Sequence, residues 1–515
     1  MNSSVKIYLL LAVSLFLSCV SFAQKQIEYK ADKIKFVKGY KGGAKRLIGH
    51  AQFTHENMVM NCDSAYFLDN NTLEAYSNIV IRQGDSLTIT GNNARYDGNT
   101  KIGLIEGNPV VCTEKDMTLT TTVLNFDSKN SLASYVNGGT IVSKENTLTS
   151  KHGYYHSPTK TVSFRYDVKL VNPEYSMIAD TLKYVTSTKT ALFVGPTTIT
   201  SKKDVLYCEH GWYNTQSQIS HLTKNAILYS GKNILHADSI HYDKKKETGD
   251  AFSNVQMIDN QEKVIISGDR AFSNQKKGKT WVTGHTLLTK LLKKDTLYAS
   301  ADTMWAFEKK IPVTAAKLGT DTDSAQYKDS TIVKAYHHVK IFKTDVQGIA
   351  DSMIYSAYDS TVTLNHLPLL WAKQNQLSGK KIVLYFANNK IDRIQIPENT
   401  FVTEKVDSLH FNQVKGKELW AYFKNDTLKR IDITGNAQAV YYLQNDKKRL
   451  QGANTIESSH LRIVSISDEM NQVTFIKKPK AKVIPIKDVD PKQLELKGFS
   501  WQAERKPKSK ADLLK

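Results

Sequence analysis

The chain lacks the features that mark most enzymes and membrane-spanning proteins. It has four cysteines in 515 residues and no CxxC pair, so neither a zinc site nor a disulfide framework is indicated. It has no GxSxG segment, no glycine-rich phosphate loop and no nucleophile–base motif, so we predict no enzyme and no cofactor. Beyond the N-terminal segment, no apolar run approaches the ~18 residues that a membrane helix needs, and we expect no transmembrane segment.

The N-terminal segment has the pattern of a secretory signal peptide. Lys6 precedes an apolar run from Ile7 to Val20, and Ser21-Phe22-Ala23 supplies a small-x-small cleavage site. Residues 1–23 are therefore predicted to be removed on export. Cys19 leaves lipid modification as the alternative, although the residues before it fit a lipobox poorly.

Basic side chains outnumber acidic ones. The 70 Lys and Arg against 50 Asp and Glu give a formal net charge of +20, and loss of the signal peptide with its single lysine leaves 20 − 1 = +19. Such a balance favours an anionic partner, for example nucleic acid, acidic glycan or phosphorylated lipid.

An aromatic residue returns every 29 or 30 residues over much of the chain. The series comprises Tyr66, Tyr96, Phe126, Tyr155, Tyr184, Tyr213, Tyr242 and Phe272. It resumes at Tyr355 and Tyr385 and, less regularly, at Tyr422, after an insertion at residues 308–331. A fixed period of this length predicts a stacked array of about a dozen repeats and not several independent cores.

Each repeat contains two turns between strand-forming runs, which predicts two long antiparallel strands. Within one such strand, Ala237 is followed by Ile240 and Tyr242 at the opposite parity. An odd jump sends side chains to the other face unless the backbone bends or bulges there. We therefore predict an all-β stack of V-shaped antiparallel strands with an apolar trough between the arms. A parallel β-helix is the structural alternative.

The repeat period also predicts the domain boundaries. The predicted domains are a signal peptide at 1–23, repeats at 24–307, an insertion at 308–331, further repeats at 332–465 and a basic C-terminal extension at 466–515. For this extension, a solvated tail and a segment that contacts anionic headgroups both remain open.

A short polar residue recurs at each expected bend. The aspartates of this set are Asp63, Asp180, Asp238, Asp302 and Asp351. Successive members would lie about 10 Å apart, two strand spacings, and a catalytic carboxylate pair is needed once and not in every repeat. We interpret them as structural kink residues. The histidines show no metal-ligand spacing, and we interpret them as surface residues and expect no metal site.

The inner arms of the V are the candidate binding surface. The residues assigned to it are Leu182, Tyr184, Ile240, Tyr242, Met353 and Tyr355. Such residues are also what an ordinary β core contains. A long exposed apolar trough on an exported protein, however, calls for a ligand or partner.

The recurring phrases "ADSIHYD", "ADTLKY" and "ADSMIY", each followed by "SNV", "GNP" or "GNAQAV", resemble the OstA-like, LptA-type family of lipopolysaccharide-transport (organic solvent tolerance) proteins. The resemblance extends from about residue 28 to about residue 465, and this chain would be a long form of the family. It implies an elongated β-jellyroll whose groove shields lipid A acyl chains. It also implies a periplasmic bridge that serves transport to, and assembly in, the outer membrane.

The same resemblance implies partners. They are lipopolysaccharide or a related acylated glycolipid and, through strand-edge pairing, other jellyroll transport proteins and the outer-membrane translocon; nucleic acid is not expected. An association with the outer membrane is part of this expectation. The alternative is a structural or adhesive β-repeat protein exposed at the cell surface.

Overall fold

The computed structural model describes residues 26–515 except 42, 85–86, 203, 293–294, 313–326, 389, 425–426 and 466–470. The predicted signal peptide with Cys19, and the centre of the predicted insertion, lie outside the described residues. In the described part of the chain there are thirty-six β-strands, and none of the helical turns is long and apolar enough to cross a membrane. The predicted all-β class is confirmed.

The chain divides into two compact units, Met1–Gln216 (unit 1) and Ser217–Lys515 (unit 2). The strands of unit 1 are β1 Glu28–Lys30, β2 Lys33–Val37, β3 Ala44–His55, β4 Met58–Leu68, β5 Thr72–Gln83, β6 Leu87–Asp97, β7 Ile102–Glu114, β8 Met117–Asp127, β9 Leu132–Tyr135, β10 Gly139–Ser143, β11 Asn146–Ser150, β12 His152–His156, β13 Thr161–Val171, β14 Tyr175–Val185, β15 Thr190–Ser201 and β16 Asp204–Asn214.

Unit 2 continues the same kind of strand. Its strands are β17 Ile219–Ser230, β18 Asn233–Asp243, β19 Thr248–Asp259, β20 Val264–Asn274, β21 Lys279–Leu291, β22 Thr296–Pro312, β23 Tyr327–Lys343, β24 Val346–Ser356, β25 Thr361–Asn365, β26 Leu369–Ala372, β27 Asn375–Ser378, β28 Lys381–Ala387, β29 Lys390–Ile396, β30 Thr400–Lys405, β31 Phe411–Gly416, β32 Glu418–Lys424, β33 Thr427–Gln444, β34 Leu450–Ser465, β35 Asn471–Ile476 and β36 Lys480–Pro485. Short 3-10 turns lie at Gln275–Lys277, Ile486–Asp488, Ala503–Arg505 and Lys510–Leu513.

The long strands bend where the sequence predicts. Between β17 and β18 the antiparallel register shifts so that Asp238 alone opposes Lys224 and Asn225. Both residues of this bulge have φ of +55°, the left-handed conformation that asparagine tolerates better than most residues. The two-against-one count reverses the side-chain parity, and Ala237 and Ile240 are accordingly both buried.

Separate ladders on either side of the bend confirm the V shape. Residues 352–356 of β24 pair with β25, whereas residues 346–349 of the same strand pair with β26. Each long strand thus contributes one half to each of two ladders. In unit 2 we call the ladder with residues 346–349 and 233–236 arm A, and the ladder with residues 352–356 and 239–243 arm B.

The space between the arms holds the apolar core. In unit 1 a continuous apolar cluster packs there over residues 27–126, with Leu47, Leu73, Ile105 and Leu124 each at most 2 % exposed. Full burial of a Leu or Ile side chain stabilises a fold by about 1.5–3 kcal/mol. The inner faces of the two arms, rather than a third layer, therefore supply the core.

The C-terminal residues 486–515, which we call the strap, pack against the outer face of arm A. Directly opposed residues on neighbouring strands point to the same face of the sheet. Gly348 faces inward, because the line of opposed residues that starts at Gly348 leads across the strands to Leu235, which lies in the interior. Its neighbour Gln347 therefore faces outward, in a column with Trp371 and Gln376. The Gln376 side chain donates a hydrogen bond of 2.6 Å to the backbone oxygen of Ser500 in the strap.

Apolar contacts seal the strap onto this face. The rings of Phe499 and Trp501 lie 5.3 Å and 5.4 Å, respectively, from the ring of Phe411. Further along, Leu494 and Leu496 pack against the cluster around Tyr442. The basic C-terminal segment is thus docked on the protein over most of its described length.

Candidate functional site

The predicted groove residues lie on the inner faces of the arms. Leu182, Ile240 and Met353 are only 3 %, 3 % and 1 % exposed, and Tyr184 and Tyr242 are half-buried. Leu182 and Tyr184 belong to unit 1 and the others to unit 2. The six predicted residues are therefore divided between the two units.

Tyr355 is the most enclosed of the predicted aromatic residues. Its ring is 7 % exposed and lies 5.7 Å from the Nζ atom of Lys290. Burial raises the pKa of the Tyr355 phenol well above its usual range, and burial lowers the pKa of the Lys290 ammonium. Both groups stand at the border between the apolar interior and the turns that edge it.

Unit 2 contains a cavity of about 370 Å³ between its arms. Arm A contributes Leu228, Leu235, Met257 and Ile266 to the lining, and arm B contributes Ile240, Tyr242, Ala271, Phe272 and Phe307. Polar residues, among them Asp259, Glu262, Gln275 and Lys279, line the mouth. Of the six predicted groove residues, Ile240 and Tyr242 are the two that line it.

The size of this cavity suits a segment of hydrocarbon chain. An apolar cavity of about 150 Å³ stays dry and accepts a six-carbon ring. By the same scale, the cavity of unit 2 has room for on the order of twelve to fifteen carbon atoms. Its walls offer such a chain apolar contact from both arms.

Unit 1 contains a second cavity, of about 310 Å³, which the sequence did not reveal. Its apolar lining includes Ile89, Cys112, Leu119, Leu124, Phe126, Leu132, Tyr135 and Val162. It lies where the long strands give way to the short strands β9, β10, β11 and β12. The predicted residues Leu182 and Tyr184, both in the described part of unit 1, lie outside this lining.

At the start of unit 1, side chains fill the interior, and polar contacts connect neighbouring strands and turns at its edge. The remaining void there is about 10 Å³. The Lys101 ammonium lies 2.8 Å from the Glu56 carboxylate, and Tyr96 and His55 are joined by a hydrogen bond of 2.8 Å. The interior of unit 1 therefore changes from a closed core to a cavity along its own strands.

The predicted kink residues all lie exposed at the bends. Most accept a hydrogen bond from a residue of the neighbouring bulge: Asn78 to Asp63 at 2.7 Å, Asn254 to Asp238 at 2.9 Å, His338 to Asp302 at 2.9 Å and His337 to Asp351 at 3.3 Å. Asp180 instead accepts a bond of 3.1 Å from Thr181. This placement fits a structural role, and that role remains a proposal.

Histidines take part in these bends, which the sequence did not indicate. His337 and His338 form a left-handed pair with φ of +63° and +51°, and His285 lies 2.7 Å from Asp269 at another bend. In the part of the chain that the structure describes, no group of three or more His, Cys, Asp or Glu could hold a metal ion. The sequence could have indicated this role, because each of these histidines lies on a strand next to one that carries an aspartate at its bend.

The three thiols of the described chain are free, and burial raises their pKa values: Cys62 and Cys112 to about 11 and Cys208 to about 12. We expect Cys62 and Cys208 to resist iodoacetamide at neutral pH until the chain is unfolded, because the thiolate is the nucleophile. Mass spectrometry of alkylated peptides with and without urea checks this. The stability gained by keeping the thiols protonated is complete below pH about 9 and falls as the pH rises through about 11. Full alkylation of the folded protein within minutes would contradict the burial.

The family model for OstA-like proteins matches residues 24–180 and 203–298. The chain belongs to the OstA-like family. A second model, for the LptA/(LptD N-terminal domain) LPS transport protein, matches residues 265–390 of this OstA-like chain. The family membership predicted from the sequence is confirmed. Its families are those of lipopolysaccharide-transport proteins and not of enzymes.

Among solved structures, the chain is similar to LptH, the LptA homologous periplasmic component of the lipopolysaccharide transport device from Pseudomonas aeruginosa. The identity is 14 % over 19 % of this chain and 75 % of that chain, with a TM-score of 0.18. A search of the curated proteins finds no match. The assignment of this chain to the lipopolysaccharide-transport proteins therefore rests on the two family models.

Proposed function

We propose that this OstA-like protein binds the acyl chains of lipid A, or of a related acylated glycolipid, between its arms and shields them from water in the periplasm. The observation that carries the proposal is the cavity of unit 2, which Ile240 and Tyr242 line together with apolar residues of the opposite arm. Leu182, Tyr184, Met353 and Tyr355 are proposed as further contacts along the same inner faces.

The energetics favour an apolar occupant. Each methylene removed from water contributes about 0.8 kcal/mol, so a twelve-carbon segment gains on the order of 10 kcal/mol before the cost of ordering the chain. The half-exposed polar mouth leaves a place for the headgroup outside. A groove of this kind serves a carrier, since the acyl chain is enclosed without any covalent step.

We further propose that strand edges join this protein to other jellyroll transport proteins and to the outer-membrane translocon. In the described chain, β2 pairs on one side with β3, and its residues Ile34 and Phe36 are 49 % and 64 % exposed. Strands β35 and β36 pair with β34, and Val483 of β36 is 60 % exposed. Unpaired strand edges recruit further strands.

Site-specific photo-crosslinking tests the carrier proposal. A photoreactive residue at position 240 is expected to capture acylated glycolipid during expression, because this side chain lines the cavity. The matched control is position 447, on the exposed turn between β33 and β34, which does not line the cavity. The readout is mass spectrometry of the labelled peptide, together with organic extraction of lipid from the purified protein.

Two outcomes would contradict the proposal. Equal labelling at positions 240 and 447 would show that the cavity has no preference for the lipid. Protein that carries no acylated lipid after mild purification, and accepts none when it is added, would favour the structural or adhesive alternative.

A further inference from the structure

One outer face of unit 1 consists almost wholly of threonine and aliphatic side chains. Ile89, Leu119 and Ile141 line the unit 1 cavity, so the residues that alternate with them on β6, β8 and β10 point outward. Cross-strand pairing extends two columns of such outward residues over the eight strands β6, β7, β8, β10, β11, β13, β14 and β15. We call this surface the threonine face, and its residues are Thr88, Thr90, Val111, Thr113, Thr118, Thr120, Thr140, Val142, Thr147, Thr149, Lys169, Val171, Ser176, Ile178, Thr198 and Thr200.

The threonine face is nearly free of charge. Ten of its sixteen residues are threonine, four are valine or isoleucine and one is serine, so Lys169 is the single charged member. In the whole chain 23 % of residues are charged. The outer face of the other arm, on four of the same strands, carries Arg95, Glu106, Arg165 and Lys183. Contact through the threonine face therefore requires little desolvation of charge.

This face is uncovered in unit 1. In the described chain none of its sixteen residues is buried, and Val142, Val171 and Ile178 are 46 %, 43 % and 61 % exposed. The same half of the repeat is covered in unit 2, where the strap lies on the outer face of arm A and Ile349 and Trp371 are 8 % and 2 % exposed. A contiguous exposed surface with aliphatic groups of this kind marks a contact with a partner.

The charges at the edges of the threonine face are paired. On the turns at one edge, the Lys144 ammonium lies 3.8 Å from the Asp116 carboxylate. At the bend that forms the other edge, Lys151 lies 2.7 Å from Asp167. A less polar centre with a polar rim is the usual anatomy of a protein–protein interface. Although the chain as a whole has a formal net charge of +20, a second copy can approach this face without meeting a cluster of unpaired lysines.

We propose that the threonine face is the interface of a dimer, in which it packs against the same face of a second copy of this chain. A threonine hydroxyl both donates and accepts hydrogen bonds, so a surface of threonines is complementary to itself. A two-fold axis through the face brings identical surfaces together and closes the assembly at two copies. Two sheets that pack face to face lie about 10 Å apart, with their side chains interdigitating. The inference is independent of lipid binding.

The size of the face sets the expected strength of the dimer. Eight strands spaced about 4.8 Å apart, with two side-chain columns of about 7 Å each, give roughly 500 Å² per copy. The total of about 1,000 Å² is at the lower limit of specific interfaces. We therefore expect a reversible dimer with a dissociation constant on the order of 10 µM, and not an obligate one.

Sedimentation velocity over about 1–200 µM protein measures the association. The variant with Val142→Lys and Ile178→Lys puts two lysines on each copy of the face, and like charges brought together should raise the dissociation constant about tenfold or more. The matched control carries Ile102→Lys and Val194→Lys, at positions 52 % and 40 % exposed on the outer face of the other arm. It is expected to dimerise like the unaltered protein, and urea midpoints compare the stability of the two variants.

Photo-crosslinking of the otherwise unaltered protein locates the contact without depending on the lysine variant. A photoreactive residue at position 140, near the centre of the face, is expected to give a covalent dimer, whereas one at position 163, on the outer face of the other arm, is not. Association through strand edges would not produce the crosslink at 140, because β10 is paired with β8 on one side and with β11 on the other.

Three results would overturn the proposal. One is a protein that stays monomeric over the whole concentration range. Another is a dimer that both lysine variants weaken equally or that neither weakens, since the contact would then lie elsewhere. The third is a crosslink at position 140 to lipid, or equal covalent dimer from positions 140 and 163.

Discussion

Replacement of Ile240 by aspartate is expected to abolish lipid loading in unit 2 while leaving much of the fold intact. The side chain is 3 % exposed and faces the 370 Å³ cavity. An acyl chain that enters would have to strip water from an unpaired carboxylate, at a cost of several kcal/mol. Since each 1.4 kcal/mol is a factor of about ten in affinity, loading should fall at least a hundredfold. Native mass spectrometry of protein incubated with acylated glycolipid gives the measurement.

Two control variants isolate this effect. Ile240→Leu keeps the apolar lining and should load lipid normally. Asp238→Leu should do the reverse of Ile240→Asp, because Asp238 is exposed at the bend and accepts the 2.9 Å hydrogen bond from Asn254. We expect it to lower the urea midpoint and to leave the lipid bound per folded molecule unchanged. A stable Ile240→Asp protein that loads lipid like the unaltered chain would mean that the cavity is only part of the core.

Deletion of the strap, residues 486–515, is expected to make unit 2 aggregate or unfold. The strap covers an outward face that includes Trp371, 2 % exposed, and Phe401, 6 % exposed. Each large aromatic side chain buries about 150–250 Å², worth roughly 25 cal/mol per Å², so several of them exceed the margin of a typical domain. Urea unfolding and binding of a dye specific for exposed apolar surface measure the loss.

Two adjacent leucines near the end of the strap provide a matched pair for this prediction. Leu513 is 4 % exposed and Leu514 is 43 % exposed. Leu513→Ala is expected to destabilise unit 2 by about 2–3 kcal/mol, and Leu514→Ala to change its stability by less than about 0.5 kcal/mol. If the truncated protein keeps its unfolding midpoint, the strap does not stabilise the face that it covers.

Much of the fold could be predicted because the sequence repeats the same physical requirement. Alternation fixes which side chains face inward, and the odd jump from Ala237 to Ile240 can keep both inside only if the backbone bends between them. The structure meets that requirement with a left-handed pair on the neighbouring strand, Lys224 and Asn225. The prediction located the bend at Asp238 but missed the strand that supplies the extra residue.

The cavities and the strap could not be predicted in the same way. Whether an inward residue such as Ile240 or Met353 borders a void depends on the volumes of side chains across the trough, which periodicity does not report. The strap has no period, and its contacts, such as Gln376 with Ser500, join residues 124 positions apart. Its abundance of lysine suggested a solvated tail, although the apolar residues between those lysines provide the contact.

Each repeat consists of two antiparallel strands and two turns, and this organisation has an evolutionary consequence. Removing or duplicating a single strand would reverse the direction of everything that follows, whereas removing or duplicating a whole copy of 29 or 30 residues restores the same direction and the same bend. Descendants of such a gene can therefore lengthen or shorten only in whole copies. Each step changes the span of a unit by roughly 10 Å, the width of two strands.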